Sequence, residues 1–402
     1  MGNPKQAFVT GGTGLVGRAV VARLLERGID VTLLLRSGAE YRREDALDAL
    51  RSTAEHSGRT LAIVHGDLSQ PRMGLGASEL SVLSDAGHCF HIAALYDIEA
   101  DAERLAQTNV DGTKHLLEAL RGAGFEGRLH HVSSVAVAGN YENTFTESMF
   151  DEGQGFPHPY HQSKYDSEKL VRESGLDYRI YRPSGVVGDS KTGAIDKIDG
   201  VYFSFDAMRK IAHAVPRWVR LPLPRIRGAF NLVPVDYVAD ALVHIAFSDS
   251  DAHVFHLVDP KPPSLTKMSG ILLSAAGGPS VGPALDLQKL PGAKKTLGMV
   301  SMLPSIQELR DGALADLGLP LGSLGALNIK ARYEDANTQA ALAGSGITCP
   351  PLRSYAKTLF RYYEDHLAPE VRRPERYRQA LAGKKVLITG SSRGVGHSVA
   401  LV

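Results

Sequence analysis

Two tyrosine–lysine pairs overlap in the stretch PYHQSKYDSEK, Pro159 to Lys169: Tyr160 with Lys164 and Tyr165 with Lys169. Side chains four residues apart on a helix share a face. A lysine ammonium one turn from a phenol stabilises the phenolate and draws its pKa below the usual value of about 10. In the first pair this makes Tyr160 a proton donor usable near neutrality. About 26 residues upstream of the pair, HVSSVAVAG, His131 to Gly139, ends a strand-like run in two serines, Ser133 and Ser134. A serine hydroxyl beside the phenol can hydrogen-bond a reacting carbonyl oxygen. Tyrosine and lysine also meet at this spacing on ordinary surface helices, so the reading depends on a cofactor loop upstream.

TGGTGLVGR, Thr10 to Arg18, supplies one. It follows a strand-like run and opens a helical one, which sets a helix N-terminus and its unpaired amides against a bound pyrophosphate. Gly12, Gly14 and Gly17 fit G-x-G-x-x-G, while Gly11, Gly14 and Gly17 fit G-x-x-G-x-x-G. Either spelling permits a tight turn and close backbone approach. Sites for NAD commonly end the second strand with an acid for the ribose 2′-hydroxyl. Here that strand ends LLLRSG, with Arg36 in the acid's place and Arg18 just past the third glycine. Two cations can meet a 2′-phosphate and the adenine face, so NADPH is the expected cofactor. Asp67, in the GDL that follows the next strand, is placed to meet the adenine amino group.

These groups need rigid elements to hold them. Short apolar runs, at 6–10, 31–35, 61–64, 89–93, 129–133 and 178–181, read as buried strands. Helical patterns intervene at 15–27, 102–120 and 160–173, with Gly28 a plausible C-cap of the first. Repeated strand–helix units imply a doubly wound parallel α/β sheet of Rossmann type with helices on both faces. The rhythm loosens after about Gly185. It returns in NLVPVDYVADALVHIAF and HVFHLV, and gives way after Pro260 to a Pro/Gly-punctuated, helical stretch. The expected organisation is a cofactor-binding core over 1–260 with substrate-binding segments at about 190–235, a helical substrate or lid region over 261–382, and a separate start at 383–402.

The chain has 402 residues, 43% of them hydrophobic and 22% charged, as in an ordinary soluble domain. A net charge of +1 provides no global field to recruit nucleic acid. Two cysteines cannot make a disulfide framework and suit a reducing compartment. No apolar signal core precedes the first strand, and the longest uncharged run, Met268 to Leu285, is broken by four glycines and two prolines. A cytoplasmic location is expected, with peripheral membrane contact as an option. Fifteen histidines include no zinc-like spacing, so no metal is expected.

The motifs TGGTGLVG, NVDGT (Asn109 to Thr113), HVSS, PYHQSK and YRPSGVVG (Tyr181 to Gly188) occur in the order of the extended short-chain dehydrogenase/reductases, and the chain resembles that family over roughly residues 5–260. The resemblance selects Tyr160 and Lys164 as acid and cofactor anchor. It matches Ser134 to the family serine with Ser133 in reserve, Asn109 to the asparagine near the lysine, and Pro183 to the loop beside the nicotinamide. The expected cofactor site comprises Thr10, Gly11, Gly14, Leu15, Val16, Gly17, Arg18, Arg36, Asp67, Leu68, Ala93, Ala94, Lys164, Pro183 and Val186. A narrower resemblance, in HPYHQSKYDSEKLVRE, YRPSGVVGDSKTGAIDKIDGVYF and NLVPVDYVADALVHIA, is to the N-terminal part of bacterial fatty acyl-CoA reductases, which join an extended reductase to a shorter one. KKVLITGSSRGVGHSVALV, Lys384 to Val402, resembles the start of such a second domain, and the chain is expected to be the front of a longer polypeptide.

That resemblance implies an NADPH-dependent reductase of long-chain acyl-CoA, fatty aldehyde, or both. The basic stretch Asp206 to Arg227, with Trp218 interleaved, is either a contact for CoA phosphates or an anionic membrane, or a solvated face. MVSMLPSI, Met299 to Ile306, is a candidate wall of an acyl tunnel. The rival readings are an extended reductase for a hydroxysteroid, flavonol-like ketone or sugar nucleotide, and a non-catalytic NADP-binding regulator.

Overall fold

The computed structural model describes residues 3–38, 43–97, 100–196, 198–221, 230–282 and 331–368. The second glycine-rich stretch at 384–402, MVSMLPSI, Arg225 and Arg227 lie outside them.

Alternating strands and helices build the first half: β1 (Asn3–Thr10), α1 (Leu15–Glu26), β2 (Asp30–Leu35), α2 (Glu44–Ser57), β3 (Leu61–His65), α3 (Ala77–Asp85), β4 (Ala86–His91), α4 (Ala102–Ala106), α5 (Gly112–Gly122) and β5 (Arg128–Val132). After β6 (Thr144–Phe145) come α6 (Pro159–Arg172), β7 (Tyr178–Pro183), β8 (Gly185–Val187), α7 (Phe203–Ala214), β9 (Arg220–Leu221), β10 (Leu232–Pro234), α8 (Val235–Ala246) and β11 (Val254–Leu257). The remaining elements are α9 (Leu265–Ala275), β12 (Ser280–Val281), β13 (Arg332–Tyr333), α10 (Ala336–Leu342) and α11 (Leu352–Tyr362).

Seven strands form one parallel sheet in the order β11-β7-β5-β4-β1-β2-β3. Period-two alternation sends the two faces of each strand into different cores. Ala7, Val9, Val31 and Leu33 pack under α1, α2 and α8, while Phe8 and Leu34 pack with α3 and α5. This is the doubly wound α/β fold expected from the sequence. Chain order reverses between β1 and β4, and the crevice beyond the carboxyl ends of those strands is where such sheets bind ligands.

One expected helix is two. Residues 102–120 are interrupted by a π turn, Gln107–Asp111, whose widened backbone carries the buried Asn109 inward. Such turns are frequent at functional sites. The later elements do not form an independent layer. Leu342 of α10 joins the core beneath α8, and Tyr355, Leu359 and Phe360 of α11 pack with Tyr202, Phe205 and Leu232. A buried carboxylate staples α10 in place. Glu147 accepts from the Asn337 and Thr338 amides (2.5 and 3.2 Å), the Thr338 hydroxyl (2.8 Å) and the His256 amide (2.8 Å).

Candidate active site

A cavity of about 980 Å³ opens at the crevice between β1 and β4 and runs past the end of β5 to the loop after β7. Its floor at one end is the first glycine-rich turn. Gly11 has φ +72°, and a Cβ there would fall 2.5 Å from the Ala93 nitrogen. A Cβ on Gly17 would fall 2.0 Å from the Gly11 carbonyl oxygen, so the turn closes only with glycine at both positions. Gly14 caps α1 with no side-chain hydrogen bond, and no acid stands in the first turn. The amides at this helix end therefore face the cavity without a protein anion, which fits a bound pyrophosphate.

The wall beyond the turn contains most of the residues expected from the sequence. Gly11, Gly14, Leu15, Val16, Gly17, Arg36, Asp67, Leu68, Ala93, Ala94, Ser134, Tyr160, Lys164, Pro183 and Val186 all line it. Three expected residues do not. Thr10 is buried, its hydroxyl bonded to His91 Nδ1 at 2.8 Å. Arg18 turns instead to the loop after β8, where its guanidinium pairs with Asp196. Asn109 sits behind the wall. Its Oδ1 accepts from the Leu95 amide at 2.7 Å, and its Nδ2 donates to the Leu95 carbonyl (3.1 Å) and to Ser163 Oγ (3.0 Å). Ser163 in turn donates to the Tyr160 carbonyl at 2.9 Å, so Asn109 holds α6 from the residue beside Lys164.

Helix α6 starts where it does because Pro159 occupies its first turn and His158 caps it, Nδ1 accepting from the Tyr160 amide at 3.1 Å. The choice between tyrosines is then geometric. Tyr165 stacks on Phe150, with centroids 4.4 Å apart, inside an apolar cluster, and Lys169 is exposed. Tyr160 and Lys164 face the cavity. The serines divide in the same way. Ser133 Oγ donates to the buried Glu168 at 2.6 Å, whereas Ser134 Oγ accepts from the Ala136 amide at 3.1 Å and shares the cavity wall with Tyr160.

The expected acidity of Tyr160 is not what the structure shows. Burial pushes the phenol up to about 12, opposed by the neighbouring Ser134 hydroxyl and reinforced by the Asp199 carboxylate. The ring is partly exposed while the hydroxyl end is enclosed. Lys164 has moved the other way: burial lowers it to about 8, opposed by Glu168. Its ammonium donates to the Val132 carbonyl at 2.9 Å. Desolvation of two neutral-preferring groups thus outweighs the attraction that the spacing suggested.

Several wall residues have no place in the site expected from the sequence, although His158 and His161 flank Tyr160 there. Arg43 and Arg104 add two cations to the wall, and Tyr96, Asp199, His158 and His161 lie around Tyr160. The Tyr96 and Tyr160 rings meet edge to face at 4.9 Å. Arg43 stands in the basic run that ends where α2 begins, and Tyr96 directly follows AAL at the end of β4, so position relative to strand ends was the available signal. Three further histidines are hydrogen-bonded within the sheet. His91 bridges Thr10 and Thr113 (2.8 and 3.0 Å), and His88, His130 and Tyr181 form a chain across the sheet. The Thr113 hydroxyl donates to the Asn109 carbonyl, so His91 carries its proton on Nε2.

A doubly wound sheet with a glycine turn at its switch point, and a tyrosine–lysine–serine wall one strand away, defines an NAD(P)-dependent oxidoreductase of the extended short-chain type. The profile of an NAD-binding family described as male sterility protein matches residues 9–242, more than half of the chain, and the chain belongs to that family. It is 27% identical over 390 residues to the non-canonical nonribosomal peptide synthetase hkm10 of Aspergillus hancockii, covering 90% of this chain and 36% of that protein. It is 27% identical over 386 residues to the isonitrile lipopeptide synthase of Streptomyces coeruleorubidus, covering 91% and 24%. The chain thus spans only about a third or less of the length of these relatives. Among solved structures, the terminal R domain of the myxalamid PKS-NRPS pathway superposes with a TM-score of 0.70 at 25% identity, covering 92% of this chain and 93% of that one. The reductase domain of a Mycobacterium tuberculosis nonribosomal peptide synthetase shares the fold, with a TM-score of 0.61 at 20% identity over 90% of this chain and 91% of that one.

Proposed function

We propose that this chain is an NADPH-dependent reductase that converts an acyl thioester to an aldehyde, or an aldehyde to an alcohol, with Tyr160 as the proton donor. The observation that carries this reading is the single cavity in which the glycine turn, Lys164, Tyr160 and Ser134 share a wall. Arg36 and Arg43 at the end of that cavity away from Tyr160 supply the positive charge that favours a 2′-phosphate over a bare ribose. When bound, the reduced nicotinamide supplies the hydride. The chain's own groups do the rest. Lys164 holds a ribose hydroxyl and places positive charge under the phenol. Ser134 orients the carbonyl oxygen, and Tyr160 donates a proton to that oxygen as negative charge develops on it. With a thioester, the resulting hemithioacetal collapses to aldehyde and free thiol.

The relatives widen the choice of thioester. Several are named as synthetases or synthases, one as the L-2-aminoadipate reductase of Schizosaccharomyces pombe and one as the aldehyde reductase lnaA of Aspergillus flavus. An acyl group held on a carrier-protein thiol therefore joins acyl-CoA as a substrate form, and the long-chain fatty acyl reading is one case within it. The test incubates folded protein with NADPH and, separately, palmitoyl-CoA, an acyl-pantetheine thioester and a long-chain aldehyde. Loss of nicotinamide absorbance with at least one of them is expected; none with any of the three overturns the reading.

A further inference from the structure

Two consecutive residues at the end of β5 are each held by a different residue of α6. The Val132 carbonyl accepts from Lys164 Nζ at 2.9 Å, and Ser133 Oγ donates to Glu168 Oε2 at 2.6 Å, while Ser134 and Tyr160 share the cavity wall. Tyr160, Lys164 and Glu168 follow one another at four-residue intervals and so lie on one helix face. The Lys164 and Glu168 bonds, one helical turn apart, pin α6 to the strand end at two points and so set its register along the strand. Ser133 borders the cavity as Ser134 does, but its hydroxyl is committed to Glu168, which lies behind the wall.

Glu168 is itself anchored. Its carboxylate accepts from Arg182 twice, Nη2 at 2.6 Å and Nε at 3.1 Å, and from Arg172 at 2.9 Å, and both Glu168 and Arg182 are fully buried. Arg182 directly precedes Pro183 on the cavity wall. A buried ion pair contributes little net stability compared with apolar packing, and its clearest consequence is a defined geometry.

From this arrangement, and resting on the function proposed above, we infer that Ser133 and Glu168 are positioning residues: their bond fixes the register of α6 against β5 that brings the Ser134 and Tyr160 hydroxyls together. Ser133 acts through Ser134 and touches no reacting atom.

The test is a double-mutant cycle on turnover. Ser133→Ala removes one buried donor, and the Glu168 oxygen it leaves still accepts from Arg182 Nε. Its expected effect is a fall in kcat of about tenfold or more, with the carbonyl KM and the NADPH dissociation constant, read from nicotinamide fluorescence, within about twofold of wild type. If the residue acts through Ser134, Ser133→Ala added to Ser134→Ala costs no more than about a further twofold. An unchanged kcat in Ser133→Ala, or a full additive loss in the double variant, overturns the inference. Should Ser133→Ala not fold, Ser133→Cys keeps the volume with a weaker donor and carries the same cycle. Wild-type protein that turns over no carbonyl refutes the functional reading instead. The clamp is then read from denaturant unfolding of Ser133→Ala, Glu168→Gln and their double variant, where a coupling indistinguishable from zero removes it.

Discussion

Burial moves the pKa values of Tyr160 and Lys164 toward each group's neutral form, up for the phenol and down for the ammonium. Tyr160→Phe removes the only proton the mechanism uses at the carbonyl oxygen, so kcat should fall by about 10²- to 10⁴-fold while NADPH binding is retained; equal turnover would assign the acid elsewhere. Lys164, lowered by burial to about 8, gives the pH dependence its sign. Its ammonium is present below that value and lost above it, while Tyr160, near 12, stays protonated throughout. The value of kcat/KM should therefore decline as pH rises through about 8, a limb that pH–rate profiles would reveal. For stability, the lysine's folded pKa lies below its ordinary 10.5, so the unfolded chain binds more protons between the two values. The contribution of Lys164 is present above about 10.5 and lost as pH falls through about 8. At the other end of the cavity, Arg36→Ala and Arg43→Ala should each lower kcat/KM for NADPH by about tenfold or more and leave NADH unaffected, the loss of one charge-assisted bond. Equal losses with both cofactors would show that these cations do not read the 2′-phosphate.

At the scale of elements, what could be read in advance was what local pattern determines. The strand runs at 31–35 and 61–64 and the helix opening at Leu15 fall within a residue of β2, β3 and α1, because buried parallel strands and a glycine turn leave a strong one-dimensional trace. The serine pair could not be resolved that way. Ser133 and Ser134 are chemically identical, and only the fold separates them, by committing the Ser133 hydroxyl to the buried Glu168. Arg18 failed for the same reason: its partner Asp196 lies 178 positions away. The π turn at Gln107–Asp111 was hidden because it preserves helical composition while shifting the face that Asn109 presents. The staple on α10 has no local trace either, since Glu147 precedes Thr338 by 191 residues. Glu147→Ala leaves the Asn337, Thr338 and His256 amides without their acceptor in a buried site. It should destabilise the protein by about 2–4 kcal/mol, measured by denaturant unfolding; a loss below about 0.5 kcal/mol would mean that solvent replaces the carboxylate.

The cavity wall draws on residues from Gly11 to Tyr333, so segments far apart in sequence meet at one ligand site. The connection is physical at each step. Arg182 joins Glu168 to His256 at 3.1 Å, His256 Nδ1 bonds the Glu334 carbonyl at 2.7 Å, and Glu147 ties α10 to the His256 amide. A ligand bound only by the folded state stabilises every element that unfolds cooperatively with its site, by RT ln(1 + [L]/Kd). At an NADPH concentration of about 100 Kd this amounts to about 2.7 kcal/mol, or a roughly hundredfold slowing of amide exchange for groups that open only by global unfolding. Buried amides of β1 and β4, at the glycine turn, should show that slowing, and so should those of α10 and α11, although neither helix carries a residue on the cavity wall. Exchange measured peptide by peptide, with and without NADPH, decides the matter. Slowing confined to β1, α1 and β4 would mean that residues 331–368 open independently, and that the buried chain from Glu168 to Glu147 does not carry the energy of cofactor binding across the fold.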